Sequence, residues 1–229
     1  TLMRSSAASD VYKRQIYMAS KSQKKNTIRQ DIIEAANIYG EHLAGHTFLY
    51  VYGDEYFEVT FPKNCFLHLT GVETYLSANE FYKKAKRDRL STRQFYFTQR
   101  HPFANAKKKL PCLKQLPELT TSMVCILKNI QTTTLVYKLG MTNLEFTLGL
   151  TENLDRDGNK VNDYFLPMSL RVESTSVEKC EAGGIVDFIF SKNAKHVKYD
   201  AILVQDSNKD IPECVHHLLH ENLLPHLTR

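Results

Sequence analysis

Hydrophobic positions follow a helical period in the first half of the chain. Two capping boxes, which begin at Thr27 and Ser77, mark the starts of two helices. Apolar side chains recur every three or four positions after each of them, and leucines spaced three apart indicate a third helix at 107–116. The pattern therefore predicts amphipathic helices over 27–45, 77–88 and 107–116.

Alternating apolar and polar positions, the period of a strand, dominate elsewhere. Two strands at 47–52 and 56–61 flank a Gly-Asp turn, and the segment 65–72 is also predicted as a strand. Pro167 lies inside one of the later strands, which indicates an edge position or a bulge there. The later strands are predicted at 132–138, 145–150, 164–173, 185–190 and 199–205.

Helices that precede a cluster of strands predict an α+β fold. We expect N-terminal helices, then a largely antiparallel sheet, then an amphipathic C-terminal helix from Asp210 to Leu224. Residues 1–17 are predicted to be a non-structural lead, because the string 5–15 resembles a translated sequencing-adapter artefact and lacks apolar periodicity. Residues 18–229 are then expected to form a single domain with an inserted basic helical segment at 77–118.

Composition is ordinary for a globular protein, with 42% hydrophobic and 24% charged residues. No stretch approaches the roughly 20 apolar residues that span a bilayer. The cysteines are scattered and odd in number, which predicts free thiols in a reducing compartment and no zinc knuckle. We therefore expect a cytoplasmic protein without membrane partners. The five cysteines are Cys65, Cys112, Cys125, Cys180 and Cys214.

Positive charge is concentrated in residues 83–114, which carry 11 Lys and Arg against one acid, Asp88, while the whole chain has a net charge of +5. Such density favours contact with a polyanion such as a phosphate backbone. The alternative is a solvated helix face followed by a flexible loop. The residues predicted to contact this nucleic acid are Lys83, Lys84, Arg87, Lys107 and Lys108.

Residues 66–70 contain the first candidate for catalysis. If this segment is a strand, His68 and Thr70 share one face, opposite Leu67 and Leu69, and Gly71 ends the strand. A histidine titrates near neutrality and can transfer a proton in phosphodiester cleavage. The alternative is a buried histidine that is hydrogen-bonded into the fold.

Residues 167–171 contain the second candidate. The same alternation places Ser169 beside Arg171, and a guanidinium next to a hydroxyl can clamp a phosphate because its donors match two phosphate oxygens. A surface ion pair of Arg171 with Asp163 or Glu173 is the alternative.

Two apparent metal motifs are incomplete. The run that begins at Asp155 starts like a calcium loop but has Lys160 in place of the required glycine, so a turn is predicted. His220-Glu221 lacks the second histidine of a zinc-binding helix because position 224 is Leu. We therefore expect neither a metal nor another cofactor.

Several segments resemble a phage-associated family that is classed with the barnase–EndoU–colicin–RelE nucleases. The likeness covers about residues 28–205, and the string Phe66-Leu67-His68-Leu69-Thr70-Gly71 is its most specific part. The other segments are 79–85, Lys109-Leu110 with two following leucines, Tyr164 with 167–171, and 199–202.

The resemblance implies an RNA-cutting domain that uses no metal and attacks the phosphate with the ribose hydroxyl. It implies His68 as general acid or base, Arg171 and Lys109 as groups that neutralise the phosphorane, and Thr70, Ser169 and Tyr164 as groups that position the phosphate. A phage or mobile-element toxin with an antitoxin or immunity protein as partner is the expected setting. A catalytically inactive RNA- or protein-binding module is the alternative.

Overall fold

The computed structural model describes residues 3–132, 136–172 and 179–224, with side chains from residue 22 onwards. Within these residues the helices are α1 (Met3–His42), α2 (Phe66–Thr70), α3 (Ala78–Lys86), α4 (Phe103–Lys114), α5 (Glu118–Thr121) and α6 (Glu213–His216). The strands are β1 (His46–Tyr52), β2 (Glu55–Thr60), β3 (Glu73–Thr74), β4 (Phe95–Tyr96), β5 (Cys125–Gln131), β6 (Val136–Thr142), β7 (Thr147–Leu154), β8 (Lys160–Arg171), β9 (Lys179–Ile185), β10 (Phe188–Asn193) and β11 (Ala201–Gln205).

Nine of these strands form one sheet in the order β11-β10-β1-β2-β8-β7-β6-β5-β9. Neighbouring strands pair antiparallel except β2 and β8, which pair parallel through Val59 and Phe165. Only two residues separate β9 from β10, and the amide of Asp187 between them donates to the carbonyl of Val51 on β1. The sheet therefore curls until the end of β9 lies beside β1. The predicted α+β class with a mostly antiparallel sheet is confirmed.

The two faces of strand β1 pack against different parts of the chain. Because side chains alternate across a strand, Phe48 and Tyr50 lie in the main core with the helices. Leu49 and Val51 lie in a second, smaller core with the C-terminal residues Val215 and Leu219. This burial on both faces explains why nearly all of β1 is apolar.

Tyr39 of α1 joins the N-terminal helices to the segment that follows β2. Its ring packs edge-on against Phe61, Phe66 and Tyr82, with ring centroids 6.1, 5.4 and 5.9 Å away. Its hydroxyl donates to the carbonyl of Pro62 at 2.9 Å. Burial of this tyrosine therefore fixes α2 against both α1 and α3.

The predicted helices are confirmed in part. Ser77 caps α3 by accepting a hydrogen bond from the Glu80 amide at 3.2 Å, as the capping box predicts. The predicted start of the first helix at Thr27 is wrong, because α1 begins at Met3 and Thr27 donates to the carbonyl of Gln23 inside it. The lead at 1–17 was expected to lack structure; its backbone is helical from Met3, and its side chains lie outside the described residues.

The predicted amphipathic helix from 210 to 224 is wrong. Only Glu213–His216 is α-helical, and a separate 3-10 turn covers Glu221–Leu223. The carbonyl of Leu218 accepts from the Tyr199 amide, and the His220 amide donates to the Tyr199 carbonyl. This pairing with a distant segment replaces the helical hydrogen bonds that an amphipathic pattern alone would predict.

The strand predicted at 65–72 is also wrong, because α2 occupies Phe66–Thr70. Phe66, Leu69 and Thr70 are buried while His68 is exposed, so the predicted grouping of alternate side chains does not hold. Short apolar runs fit both periods, and here packing against Tyr39 and Tyr82 selects the helix.

Most of the later strands lie close to their predicted positions. The hairpin of β6 and β7 and the strands β8, β10 and β11 are confirmed, whereas β5 and β9 extend the sheet beyond the prediction; residues 133–135 and 173–178 lie outside the described part. Pro167 lies on an interior strand, and the register opposite it shifts between Gly149 and Leu150. The bulge is therefore confirmed and the edge position is wrong.

Among the described residues no helix is long and apolar enough to cross a membrane.

Candidate active site

The end of α2 meets the side of α4 at Gly71. This glycine ends α2 with a left-handed backbone (φ 73°), which side chains with a Cβ rarely adopt. A Cβ at this position would lie 3.0 Å from Cδ of Lys109 and 3.5 Å from Cα of Ala106. The glycine therefore allows the Lys109 stem to lie against the turn, directly after the last turn of α2, where His68 is exposed.

Lys109 is a half-buried cation beside a second cation. Burial and, as the smaller cause, the nearby charge of Arg171 together lower the pKa of its ammonium group to about 8. Two positive groups that repel each other in a partly dehydrated place are stabilised when an anion binds between them. Among the described residues, this pair is therefore the strongest candidate for an anion site.

Arg171, at the end of β8, has unused hydrogen-bonding capacity. Its Nη2 atom lies 3.4 Å from the hydroxyl of Tyr137 and 3.5 Å from that of Thr132, which are long contacts for a charged donor. Its Nε atom is buried and has no hydrogen-bond partner among the described residues. The predicted pairing with Asp163 does not form, since Asp163 contacts Lys160 at 2.7 Å, and Glu173 lies outside the described residues.

A second histidine, His101, joins the site from the loop before α4. The loop is closed by the Thr98 amide donating to the His101 carbonyl and the His101 amide donating to the Thr98 hydroxyl, both at 3.0 Å. The Thr98 hydroxyl in turn donates to Glu73 at 2.8 Å. The imidazole is thereby held on the same small hairpin as a carboxylate.

The environment of His101 favours its neutral form. Partial burial lowers the pKa of this imidazole, Glu73 opposes the change, and the charges of Lys109, Arg100 and His68 lower the pKa further. A neutral imidazole near neutral pH can accept a proton. His68 and Lys109 therefore both lie within electrostatic reach of His101.

The sequence analysis missed His101 and Glu73. His101 stands in a basic loop with no apolar periodicity, and Glu73 stands in a two-residue strand. Neither position has a local pattern that indicates chemistry. One signal was available: His101 is the only histidine inside the basic segment 83–114, and it stands immediately before the proline that caps the start of α4.

The predicted hydroxyl residues are placed differently from one another. Thr70 is buried, and its hydroxyl donates to the Leu67 carbonyl at 2.7 Å and accepts from the Val72 amide at 3.4 Å, so it serves its own turn. Ser169 is buried on β8 opposite Gly149, two residues before Arg171. Ser169 therefore lies on the same strand as Arg171 of the anion site. The Thr70 hydroxyl, in contrast, already makes hydrogen bonds with the backbone of its own turn.

Tyr164 belongs to a separate cluster. Its hydroxyl accepts from the buried ammonium of Lys192 at 3.4 Å, and that ammonium also donates to the Val197 carbonyl at 3.1 Å and lies 3.8 Å from Glu58. The ring of Tyr199 lies 4.4 Å from the same ammonium. These polar groups therefore form hydrogen bonds and ionic contacts with one another, and they connect the segment after β10 with the sheet.

The predicted RNA-contacting residues are mostly exposed. Lys83 and Arg87 lie on and just after α3, and Lys107 and Lys108 lie on α4 one turn or less before Lys109. Lys84 is half-buried and 3.6 Å from Glu80. The exposed cations of α4 therefore adjoin the anion site on the same helix.

The two incomplete metal motifs have local roles. The carboxylate of Asp155 accepts from the amides of Asp157 and Asn159 at 2.9 and 2.8 Å, which confirms the predicted turn. His216 contacts the Ile211 carbonyl at 3.0 Å. In the described part of the chain, no group of three or more His, Cys, Asp or Glu side chains is placed to hold a metal ion.

Comparison with known proteins identifies the family. The profile of the phage-Barnase-EndoU-ColicinE5/D-RelE-like nuclease 4 family matches residues 31–208, which include the two histidines, Lys109 and Arg171. No curated protein and no solved structure matches the chain. Because the match covers most of the sequence and the whole candidate site, the chain belongs to this family of phage-associated nucleases.

Proposed function

We propose that this protein is a metal-independent endoribonuclease of the toxin or effector type, which cuts RNA by attack of the ribose 2′-hydroxyl on the adjacent phosphate. The observation that carries the proposal is the Lys109–Arg171 pair, two neighbouring cations that lack a carboxylate partner among the described residues. The charge of Lys109 also lowers the pKa of His101, which places a histidine within electrostatic reach of this pair. Membership of a nuclease family supports a nucleic acid as substrate.

The proposed chemistry divides the roles among four side chains. His101, whose environment favours the neutral form, accepts the proton of the 2′-hydroxyl as its oxygen bonds to phosphorus. The bond from phosphorus to the 5′-oxygen breaks, and His68 gives that oxygen a proton. Lys109 and Arg171 stabilise the negative charge that develops on the phosphorane. The products are a 2′,3′-cyclic phosphate and a 5′-hydroxyl.

Incubation of the purified protein with total RNA in EDTA tests the proposal. We expect fragments with 2′,3′-cyclic phosphate and 5′-hydroxyl ends, because the four side chains supply all of the acid, base and charge. Fragments with 5′-phosphate ends, or cleavage that disappears with EDTA, would contradict the mechanism. RNA that is bound but never cut would identify an inactive binding module.

The exposed lysines of α4 give a prediction about affinity. Reversing Lys107 and Lys108 to Glu is expected to weaken RNA binding and to make it less dependent on salt, because each phosphate contact contributes about −0.7 to the log–log salt slope on single strands. The measurement is fluorescence anisotropy over a range of salt concentrations. Reversal of Lys179 and Lys195, two exposed lysines outside the basic segment, is the control with the same change in net charge. Equal slopes for wild type and the Lys107/Lys108 variant would refute a role for these residues.

A further inference from the structure

A pair of tyrosine rings stands at the edge of the candidate active site. Tyr75 follows β3 and is 76% exposed, the most exposed of the tyrosines whose side chains the structure describes. Its ring centroid lies 4.6 Å from that of Tyr96 on β4, with an angle of 32° between the rings. One face of Tyr75 is therefore supported while the rest of the ring is open to solvent.

The hairpin beneath this pair is held firmly. The Thr74 hydroxyl donates to the Gln94 carbonyl and accepts from the Leu76 amide, and Phe95 beside Tyr96 is fully buried. Partial burial raises the pKa of the Tyr96 phenol, and the neighbouring carboxylate of Glu73 raises it further. The supporting ring is thus fixed, and it stays a neutral phenol at physiological pH.

Glu73 connects the tyrosine pair with the proposed chemistry. Glu73 pairs with Tyr96 across β3 and β4 and accepts a hydrogen bond from Thr98. Its negative charge raises the pKa of His101. The charges of Lys109 and His68 lower the pKa of His101. The exposed aromatic ring is therefore connected through Glu73 with His101, directly before helix α4, which carries Lys109.

We propose that Tyr75, supported by Tyr96, stacks on an unpaired base and so makes single-stranded RNA the substrate class of this site. The inference rests on the proposed function, because it uses the Lys109–Arg171 pair to hold the phosphate next to the stacked base. Bases in a duplex are already stacked on both faces, whereas an unpaired base can leave its neighbours and cover an aromatic ring. Stacking accepts any base, so the site selects strandedness more than sequence.

Binding of a 2′-O-methyl oligonucleotide tests the inference without cleavage, because the methyl group blocks the attacking oxygen. Tyr75→Ala is expected to weaken binding of the single strand by about 5–150-fold, which corresponds to the roughly 1–3 kcal/mol of one stacked base. Tyr75→Phe should bind like wild type, because the ring is retained. Tyr56→Ala, which removes another exposed tyrosine on β2, should also bind like wild type.

The same oligonucleotide annealed to its complement completes the test. We expect Tyr75→Ala to leave duplex binding unchanged, because no base is free to stack. Equal affinity of wild type and Tyr75→Ala for the single strand would overturn the inference, and so would an equal loss for single strand and duplex. Absence of cleavage with Tyr75-dependent binding intact would refute the proposed function alone.

Discussion

His68→Ala is expected to lower RNA cleavage by about 10²–10⁴-fold while the melting temperature stays unchanged. The large loss follows from removal of the group that gives a proton to the leaving 5′-oxygen. The unchanged stability follows from exposure, since the exposed His68 in the last turn of α2 has no buried hydrogen bond within the described part of the chain. Single-turnover cleavage and thermal melting on the same preparation measure both quantities.

The control for this variant is His196→Ala, which removes an exposed histidine from the segment between β10 and β11. It should cut RNA at the wild-type rate. His101→Ala should also slow cleavage, and the double variant should be little slower than either single one, because acid and base act in one transition state. Full activity of His68→Ala would show that another group supplies the proton.

Lys109→Met is expected to make the protein more stable and at the same time about 10²–10³-fold less active. Lys109 holds a charge in a half-buried place beside Arg171, and methionine fills the same space without charge. The gain in unfolding free energy should be on the order of 1–3 kcal/mol at neutral pH, which raises the melting temperature by several degrees for a chain of this size. The activity falls because one of two cations that stabilise the phosphorane is lost.

The stability gain should depend on pH in a defined direction. In the folded chain the pKa of Lys109 is about 8, and in the unfolded chain it returns to its ordinary value of about 10.5. Between these values the unfolded chain binds more protons, so wild-type stability rises with pH. The advantage of Lys109→Met is therefore full below about pH 8 and disappears as the pH approaches 10.5.

Lys195→Met is the matched control, because it removes an exposed lysine from the segment after β10. Its melting temperature and activity should equal those of wild type at every pH. A lower melting temperature for Lys109→Met than for wild type would mean that the lysine contributes favourable contacts instead of an energetic cost. The anion-site interpretation of the Lys109–Arg171 pair would then be wrong.

The sequence by itself determined the elements whose signals are local. The capping box at Ser77 marks the start of α3, alternation marks β2 within one residue, and an apolar run marks β1 within one residue. These signals suffice because a cap hydrogen bond and a half-buried strand involve neighbouring residues only. The sequence also indicates three members of the candidate site, His68, Lys109 and Arg171, of which Lys109 follows from the family resemblance.

Only the tertiary structure decided how these residues come together. The segment at 66–70 fits a strand and a helix equally well, and contacts of Phe66 with Tyr39 and Tyr82 make it α2, which leaves His68 exposed. Lys109 reaches the anion site because Gly71 lacks a Cβ. Both outcomes depend on residues distant in sequence, and no period along the chain encodes them.

The same reason separates the predicted residues that join the site from those that do not. Tyr164 lies on β8 like Arg171, yet it contacts the buried ammonium of Lys192, because the curled sheet brings β10 and the C-terminal segment to it. Glu73 and His101 stand in no local sequence pattern. They are connected by the Thr98 hydroxyl, which donates to Glu73 and accepts from the His101 amide. Residue types along the chain determined which chemistry is available, and long-range packing decided which of these groups face one another.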